Sequence, residues 1–462
     1  MSDAAAAETN GSPTGAPQAR PPAPSFVQAL RFWARLGCIS FGGPAGQSAT
    51  MHRERVARRR GISARRFLHA LNYCMLLPGP EAQQLATYLG WLLHRTWGGV
   101  VAGALFVLPS LVLLIGLSAV YMALGQHPVV AGVFYGIKPA VTAIVLQAAW
   151  RIGSRTLRNG WMWAIAAASF LALFVGQLPF PAIVLGAAAI GALGGRWWPE
   201  VFAVGGAHAA ARAGYGPAVL DDDDAPPAHA RPSVRRLAGV VLAGLALWLL
   251  PMAALWAWGG SGGTLTQMGW FFTKAALLTF GGAYAVLPYV HQGAVLQHGW
   301  LSAPQMMDGL ALGETTPGPL IMVVAFVAFV GGWGAGDIAA ALGPGNAWLA
   351  GALAAIVVTW FTFLPSFIFI LAGAPVIEHS HGQRRLTAPL SAITAAVVGV
   401  IVNLALFFGA HVLWPQGRGG AFDAVAAVLA AAAALALLRF KRGVIETLIA
   451  CAAVGLVLHL AR

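Results

Sequence analysis

The chain is 462 residues long, with 58% apolar and only 9% charged residues, against roughly 25% charged in a soluble globular protein. That balance, with a mean hydropathy of +0.72, excludes soluble, disordered and fibrous classes, and the uninterrupted apolar runs exclude a membrane β-barrel. The net charge of +13 raises a nucleic-acid reading, but the loop from Met51 to Arg66 alone holds seven arginines against Glu54. An arginine-rich loop between apolar segments is the ordinary mark of a cytoplasmic loop, so no nucleic-acid partner is expected.

Residues 1–24 read as a disordered tail without a cleavable signal. Apolar segments then follow at 25–51, 64–90, 97–124, 129–150, 161–176, 179–195, 236–256, 265–290, 304–330, 347–375, 389–411, 422–438 and 443–460. The long polar stretch 196–235, with acidic residues from Asp221 to Asp224, reads as a solvated cytoplasmic linker rather than a metal site. It separates an N-terminal half, 25–195, from a linking span at 236–256 and a C-terminal half, 257–462. Cys38, Cys74 and Cys451 stand far apart, and no dinucleotide, P-loop or zinc motif occurs in a usable context. No cofactor, metal or enzymatic chemistry is therefore expected.

The halves repeat. Phe32 to Gly43 matches Phe271 to Gly282 at an offset of 239, which also brings Ser63-Ala64 onto Ser302-Ala303 and Pro78-Gly79-Pro80 onto Pro317-Gly318-Pro319. Further on the offset becomes 256, aligning Leu108-Pro109-Ser110 with Leu364-Pro365-Ser366 and Ala140-Val141 with Ala396-Val397. The 17 extra residues fall near Gly331 to Gly345.

Charge sets the orientation. Loops 52–66, 151–159, 196–236, 384–385 and 439–442 are basic and should be cytoplasmic, with the N-terminus; loops 125–128, 177–178 and 257–264 lack formal charge and should be external. Parity holds if 25–51 and 64–90 are re-entrant hairpins, broken at Gly42-Gly43-Pro44 and at Pro78-Gly79-Pro80, with long tilted spans in a different loop order as the alternative. An arm of about 13 residues reaches ~20 Å, just past the middle of the bilayer. Proline ends the first arm because it has no amide hydrogen to donate. Five full spans separate these hairpins from their counterparts at 265–290 and 304–330. An odd number inverts the second half. The fold class expected is an all-α polytopic membrane protein of two inverted-topology repeats, each with two re-entrant or broken helical hairpins plus transmembrane helices.

Broken helices aim the positive ends of their half-helices at the bilayer midplane, where free amides favour an anion. The candidate cradle is Gly42, Gly43, Pro78, Gly79, Pro80, Gly281, Gly282, Pro317, Gly318 and Pro319. Arg35 and Lys274 share one repeat position, seven residues before the Gly-Gly, and could draw the anion in; Lys138 is a third cation, whose repeat partner is Thr394. Glu81, three residues after Pro78, either complements a helix dipole or serves coupling and gating. Glu314, three before Pro317, lacks the dipole explanation and points to proton carriage or pairing with a cation. Asn403 and Gln147 add neutral hydrogen-bonding groups, Asn403 as a further coupling or gating candidate.

Phe41-Gly42-Gly43-Pro44, Pro78-Gly79-Pro80-Glu81-Ala82, Leu108-Pro109-Ser110, the run from Phe280 to Pro288, that from Gly313 to Pro319, and Phe363-Leu364-Pro365-Ser366 resemble the chromate ion transporter family. The likeness is to its long, two-domain bacterial members and covers about residues 25–462. It implies chromate efflux across the inner membrane, chromate resistance, and in some members a link to sulfate. It also carries Arg35, Lys274, the stretch Ala396 to Gly399 and Asn403 into the functional set. The expectation is a secondary transporter that exports chromate by alternating access, in a lipid bilayer, with a homodimer left open. A sulfate or other oxyanion transporter, a passive anion channel and a membrane-embedded reductase stay as alternatives.

Overall fold

The computed structural model describes residues 20–41, 43–125, 127–202, 217–221, 224, 227–280, 282–343, 345–378, 387–417 and 419–461. The first half comprises α1 (Phe26–Ile39), α2 (Gly43–His52), α3 (Ala64–Leu76), α4 (Glu81–Leu124), α5 (Pro128–Thr156), α6 (Gly160–Phe174), α7 (Phe180–Trp197) and the short α8 (Pro199–Phe202). A linking helix, α9 (Val234–Gly259), follows. The second half comprises α10 (Thr264–Leu278), α11 (Ala283–Val290), α12 (Ala303–Thr315), α13 (Val323–Trp333), α14 (Gly336–Leu342), α15 (Ala347–Ile377), α16 (Thr387–Leu413), α17 (Ala424–Leu438) and α18 (Val444–Leu460). Among the described residues there is no strand, only an isolated bridge between Ile62 and Leu220. Six helices are long and apolar enough to cross a membrane, seven if one bent pair counts as a span. The protein is an all-α, multi-pass membrane protein.

The expected helix breaks are present, and each folds the chain back on itself. Phe271 of α10 stacks on Tyr289 of α11 at 4.7 Å, so these helices run antiparallel about residues 279–282. Gly309 and Gly313 of α12 lie against Phe326 and Val323 of α13, an antiparallel pair about Pro317-Gly318-Pro319. In the first half Arg55 lies 3.9 Å over the ring of Phe32, and Tyr73 meets Tyr88 at 6.0 Å. α4 is itself two arms, 81–93 and 96–124, because His94 and Arg95 leave helical geometry and Gly90 then lies against Gly98 and Ala102. α13 and α15 repeat that fold-back, with Gly332 against Ala350 and Ala354. The extra residues of the second half form α14 at this turn.

Local signals recur with the repeat. Ser63 and Ser302 accept the amides of Arg66 and Gln305 to start α3 and α12. A π-helical turn follows α2 at Arg53–Arg58 and α11 at His291–Gln297.

Beyond the hairpins the halves exchange partners. α17 and α18 pack on α5, while α6 and α7 pack on α16. Small residues permit the approach, as expected between helices in lipid. A Cβ at Gly136 would lie 1.9 Å from the carbonyl oxygen of Cys451, and one at Gly399 would lie 2.0 Å from that of Ala166. Gly136→Ala and Gly399→Ala should each destabilise the fold by about 1–3 kcal/mol, the usual cost of overpacking. A lowered melting temperature in detergent is the check, and an unchanged one would contradict the packing.

Described parts of loops 52–66 and 151–159 each meet the linker 196–236. Asn159 donates to the carbonyl of Val201 at 2.8 Å and Ser391 to that of Phe202; Arg66 lies 3.9 Å from Glu378, across the α15–α16 connection from Ser391. At the other end of α7, Gln292 accepts the amide of Phe180 at 3.0 Å. The described part of the linker is not free in solvent. The amide of Val219 donates to Arg60 and that of Ser63 to Leu220; Asp224 pairs with Arg20 at 3.0 Å, and Ala230 is fully buried. Paired backbone and an acid set among arginines lay it on the basic loop. Asp222, Asp223 and residues 1–19 lie outside the described residues.

Candidate functional site

The motifs that repeat in sequence meet in crossed pairs. The amide of Gly79 donates to the carbonyl of Thr279 at 2.7 Å, and the amide of Gly318 donates to that of Ser40 at 2.8 Å. Gly318 is Gly79 plus 239, and Thr279 is Ser40 plus 239. The serines of the Leu-Pro-Ser motifs obey the same exchange. A Cβ at Gly79 would stand 2.2 Å from Ser366 Oγ, and one at Gly318 would stand 2.6 Å from Ser110 Cβ. With φ of +128° and +113°, both glycines occupy a region closed to other residues. Each half's Pro-Gly-Pro tip is thus held by the other half.

Polar side chains crowd these tips. Gln84 donates to the carbonyl of Pro78 at 2.7 Å, and Gln47 donates to the carbonyl of Gly318. Ser40 Oγ, Gln47 Oε1, Gln83 Oε1, Gln84 Oε1, Ser110 Oγ and Thr362 Oγ1 are buried with no hydrogen-bond partner. A buried polar atom left unmade costs about 1–3 kcal/mol, so such a cluster belongs to a place that takes water or a polar ligand.

Helix starts divide in the same way. The outer starts of the hairpins have side-chain acceptors: Ser25 for α1, Ser63 for α3, Asp337 for α10 and Ser302 for α12. The inner starts at Pro80, Gly282 and Pro319 have none. The amides of Gly79 and Gly318 are engaged, while the first-turn amides of these inner helices have no side-chain acceptor.

Glu81, in the first turn of α4, brings Oε1 to 3.8 Å from the position of a Cβ on Gly282, joining the tips of opposite halves. Glu314 accepts the hydroxyl of Tyr284, and the guanidinium of Arg151 lies 5.7 Å over the Tyr284 ring. Arg151 was assigned by sequence to the basic loop 151–159; α5 continues through it to Thr156. The available signal was helical spacing from Gln147 to Arg151. Gln47 and Gln84 stand outside the expected site residues, whereas Tyr284, Ser110 and Ser366 lie within the family-like motifs without a role of their own.

The other candidates lie apart. Arg35 and Lys274 are exposed on α1 and α10, and the ammonium of Lys274 is 5.9 Å over Trp270. Lys138 faces Asp308 at 3.6 Å. Asn403 is half-buried on α16, and its counterpart Gln147 donates to Leu437 at 3.4 Å. Gly43 has φ +68° and Gly282 φ +99°, while Gly42 and Gly281 lie outside the described residues.

Two halves of a multi-pass helical protein that interlock through broken helices beside a cluster of buried polar groups have the architecture of a membrane transporter. Comparison with known proteins identifies which kind. The profile described as "Chromate transporter" matches residues 27–192 and 266–456, once in each half, and the chain belongs to that family. It is 33% identical to the chromate transport protein of Pseudomonas aeruginosa, over 83% of this chain and 81% of that one. It is 26% identical to the chromate transport protein of Cupriavidus metallidurans, over 95% and 94%. Over 31% of its length it is 30% identical to the uncharacterized transporter YwrB of Bacillus subtilis, covering 72% of that chain. That alignment spans 142 residues, about the size of one half. No solved structure matches the chain.

Proposed function

We propose that this protein exports chromate from the cytoplasm across the inner membrane by alternating access, with the two halves inserted in opposite orientations. The observation that carries the reading is the crossed hydrogen-bonding of Gly79 with Thr279 and of Gly318 with Ser40. Two copies related by a two-fold axis in the membrane plane make reciprocal contacts of this kind. The contacts of basic loops 52–66 and 151–159 with the linker support the inverted orientation, through the positive-inside bias.

The oxyanion sits where the uncapped starts of α4, α11 and the turn after Pro319 converge, with Arg151 beside them over Tyr284 and Arg35 and Lys274 drawing the anion from the exposed helix faces. A tetrahedral dianion suits several converging donors plus a guanidinium. With the cytoplasm negative, two charges leaving gain about 4.6 kcal/mol per 100 mV, twice the single-charge value. Export is then electrically downhill. Glu81 and Glu314, facing the same tips, supply the groups for coupling or gating.

The test is chromate uptake into everted vesicles with membrane potential and pH gradient clamped separately. Uptake driven by an interior-positive potential and competed weakly by sulfate is expected; no potential dependence, or preference for sulfate, would overturn it. Cysteines at Arg58 and at its repeat mate Gln297 should label from opposite faces. Labelling from one face would remove the inverted orientation.

A further inference from the structure

The reciprocity of the tips stops at the backs of the hairpins. In the second half α12 packs on α5, and α11 on α16 and α7. Its side chains share one apolar core with α5, α6, α7 and α16. The repeat-related contacts, α3 on α16 and α2 on α5 and α18, have no comparable extent among the described residues. α1, α2, α3 and α4 as far as Phe106 form a separate core with Ala230, joined by Ile370 and Ala374 of α15. One pair of hairpins is closed onto the helical bundle and the other is not.

A charged cluster lies in the closed seam. Asp308 on α12 is 3% exposed; its Oδ2 accepts the hydroxyl of Tyr121 at 2.8 Å and faces Lys138 Nζ at 3.6 Å. Its Oδ1 is buried with no partner. Lys138 keeps 31% of its side chain exposed, so it remains within reach of the path. Moved to the other half by the two offsets, Asp308, Tyr121 and Lys138 become His69, Ile377 and Thr394. There the His69 ring meets the carbonyl of Ile377 at 3.2 Å and Thr394 donates to Leu390; that trio contains no carboxylate. Asp308 lies five residues into α12 and Tyr121 three from the end of α4, which places the pair near the end read as external.

We propose that Lys138, Asp308 and Tyr121 are the lock on the external half of the transport path, and that Lys138 is a second station for the oxyanion, masked in this conformation by the carboxylate of Asp308. The inference rests on the alternating-access reading and deepens it. A lone carboxylate half-satisfied by one hydroxyl and one ammonium is a surrogate for a substrate oxygen. A dianion arriving at Lys138 carries twice its charge and displaces it. Freed of Lys138, Asp308 no longer holds α12 against α5, and the external side opens.

The test uses full-length reconstituted protein with Cys38, Cys74 and Cys451 replaced by alanine and cysteines placed at Leu178 and Gln292, across the closed seam where the Gln292 amide bonds the Leu178 carbonyl at 3.5 Å. Cross-linking by a short bifunctional thiol reagent is read without chromate, which oxidises thiols, so the result stands whether or not chromate is the substrate. Efficient cross-linking is expected in the parent, with about a tenfold loss of rate in D308N, the scale on which breaking a buried charge pair shifts a two-state equilibrium. Y121F, which keeps its ring packed between Phe134 and Phe326, should give a smaller loss and serves if D308N does not fold. In flux measurements K138Q should abolish chromate movement while D308N lowers the half-saturating concentration on the external side. Unchanged cross-linking in both D308N and Y121F would remove the lock. Full flux in a K138Q/D308N double variant would remove the second station and leave a structural ion pair.

Discussion

Gly318→Ala and its repeat mate Gly79→Ala are expected to abolish chromate flux. At Gly318 the backbone has φ +113°, and a residue with a side chain held there costs about 1–3 kcal/mol. The new methyl would also stand 2.6 Å from Ser110 Cβ, adding an overpacking cost of roughly 1–3 kcal/mol. Relief by movement is blocked, because the Gly318 amide is tied to Ser40 and the Gln47 amide is tied to the Gly318 carbonyl. The tip must shift, and with it the inner helix starts. Gly79→Ala meets the same obstacles in Ser366 and in φ +128°. Ser110→Gly in the Gly318→Ala background removes the steric part but not the backbone strain, so recovery should be incomplete. Flux is measured in vesicles, normalised to protein in the membrane. Wild-type flux in either alanine variant would show that the crossed tips are not the transport centre.

The second large effect is expected at Arg151. Its guanidinium lies over the ring of a tyrosine that holds Glu314, beside the tip at Gly282. A hydrogen bond to a charged group contributes about 1.5–3 kcal/mol, so Arg151→Ala should lower chromate flux about ten- to a hundredfold. Arg151→Lys keeps the charge but not the planar fork, and should recover only part. Arg35→Ala and Lys274→Ala remove exposed charges that act from a distance in solvent, and each should cost less than Arg151→Ala. Equal losses in all three alanine variants would return the anion to the α1 and α10 faces. Tyr284→Phe separates the roles: it releases Glu314 without removing the guanidinium, and should change the response to a pH gradient more than the response to potential.

How much of this was legible in the chain depends on how local the cause is. Pro78, Pro80, Pro317 and Pro319 break helices because a proline has no amide hydrogen, and that acts within a turn. The apolar lengths that make spans are likewise local sums. The repeat is a comparison of the chain with itself, and it placed the 17-residue insertion where α14 forms. All of these elements were readable without coordinates.

What the tertiary structure alone decided is which face of each helix meets which partner. Arg35 reads as a cation inside an apolar segment and Arg151 as part of a basic loop, yet the packing leaves Arg35 exposed on α1 and sets Arg151 over Tyr284. The glycine amides expected to hold an anion bond Thr279 and Ser40 instead, and Asp308, silent in the sequence, gains importance only because α12 lies against α5. These partners lie far apart along the chain, and a contact over that distance follows from how whole helices pack. Periodicity within one segment carries no record of it.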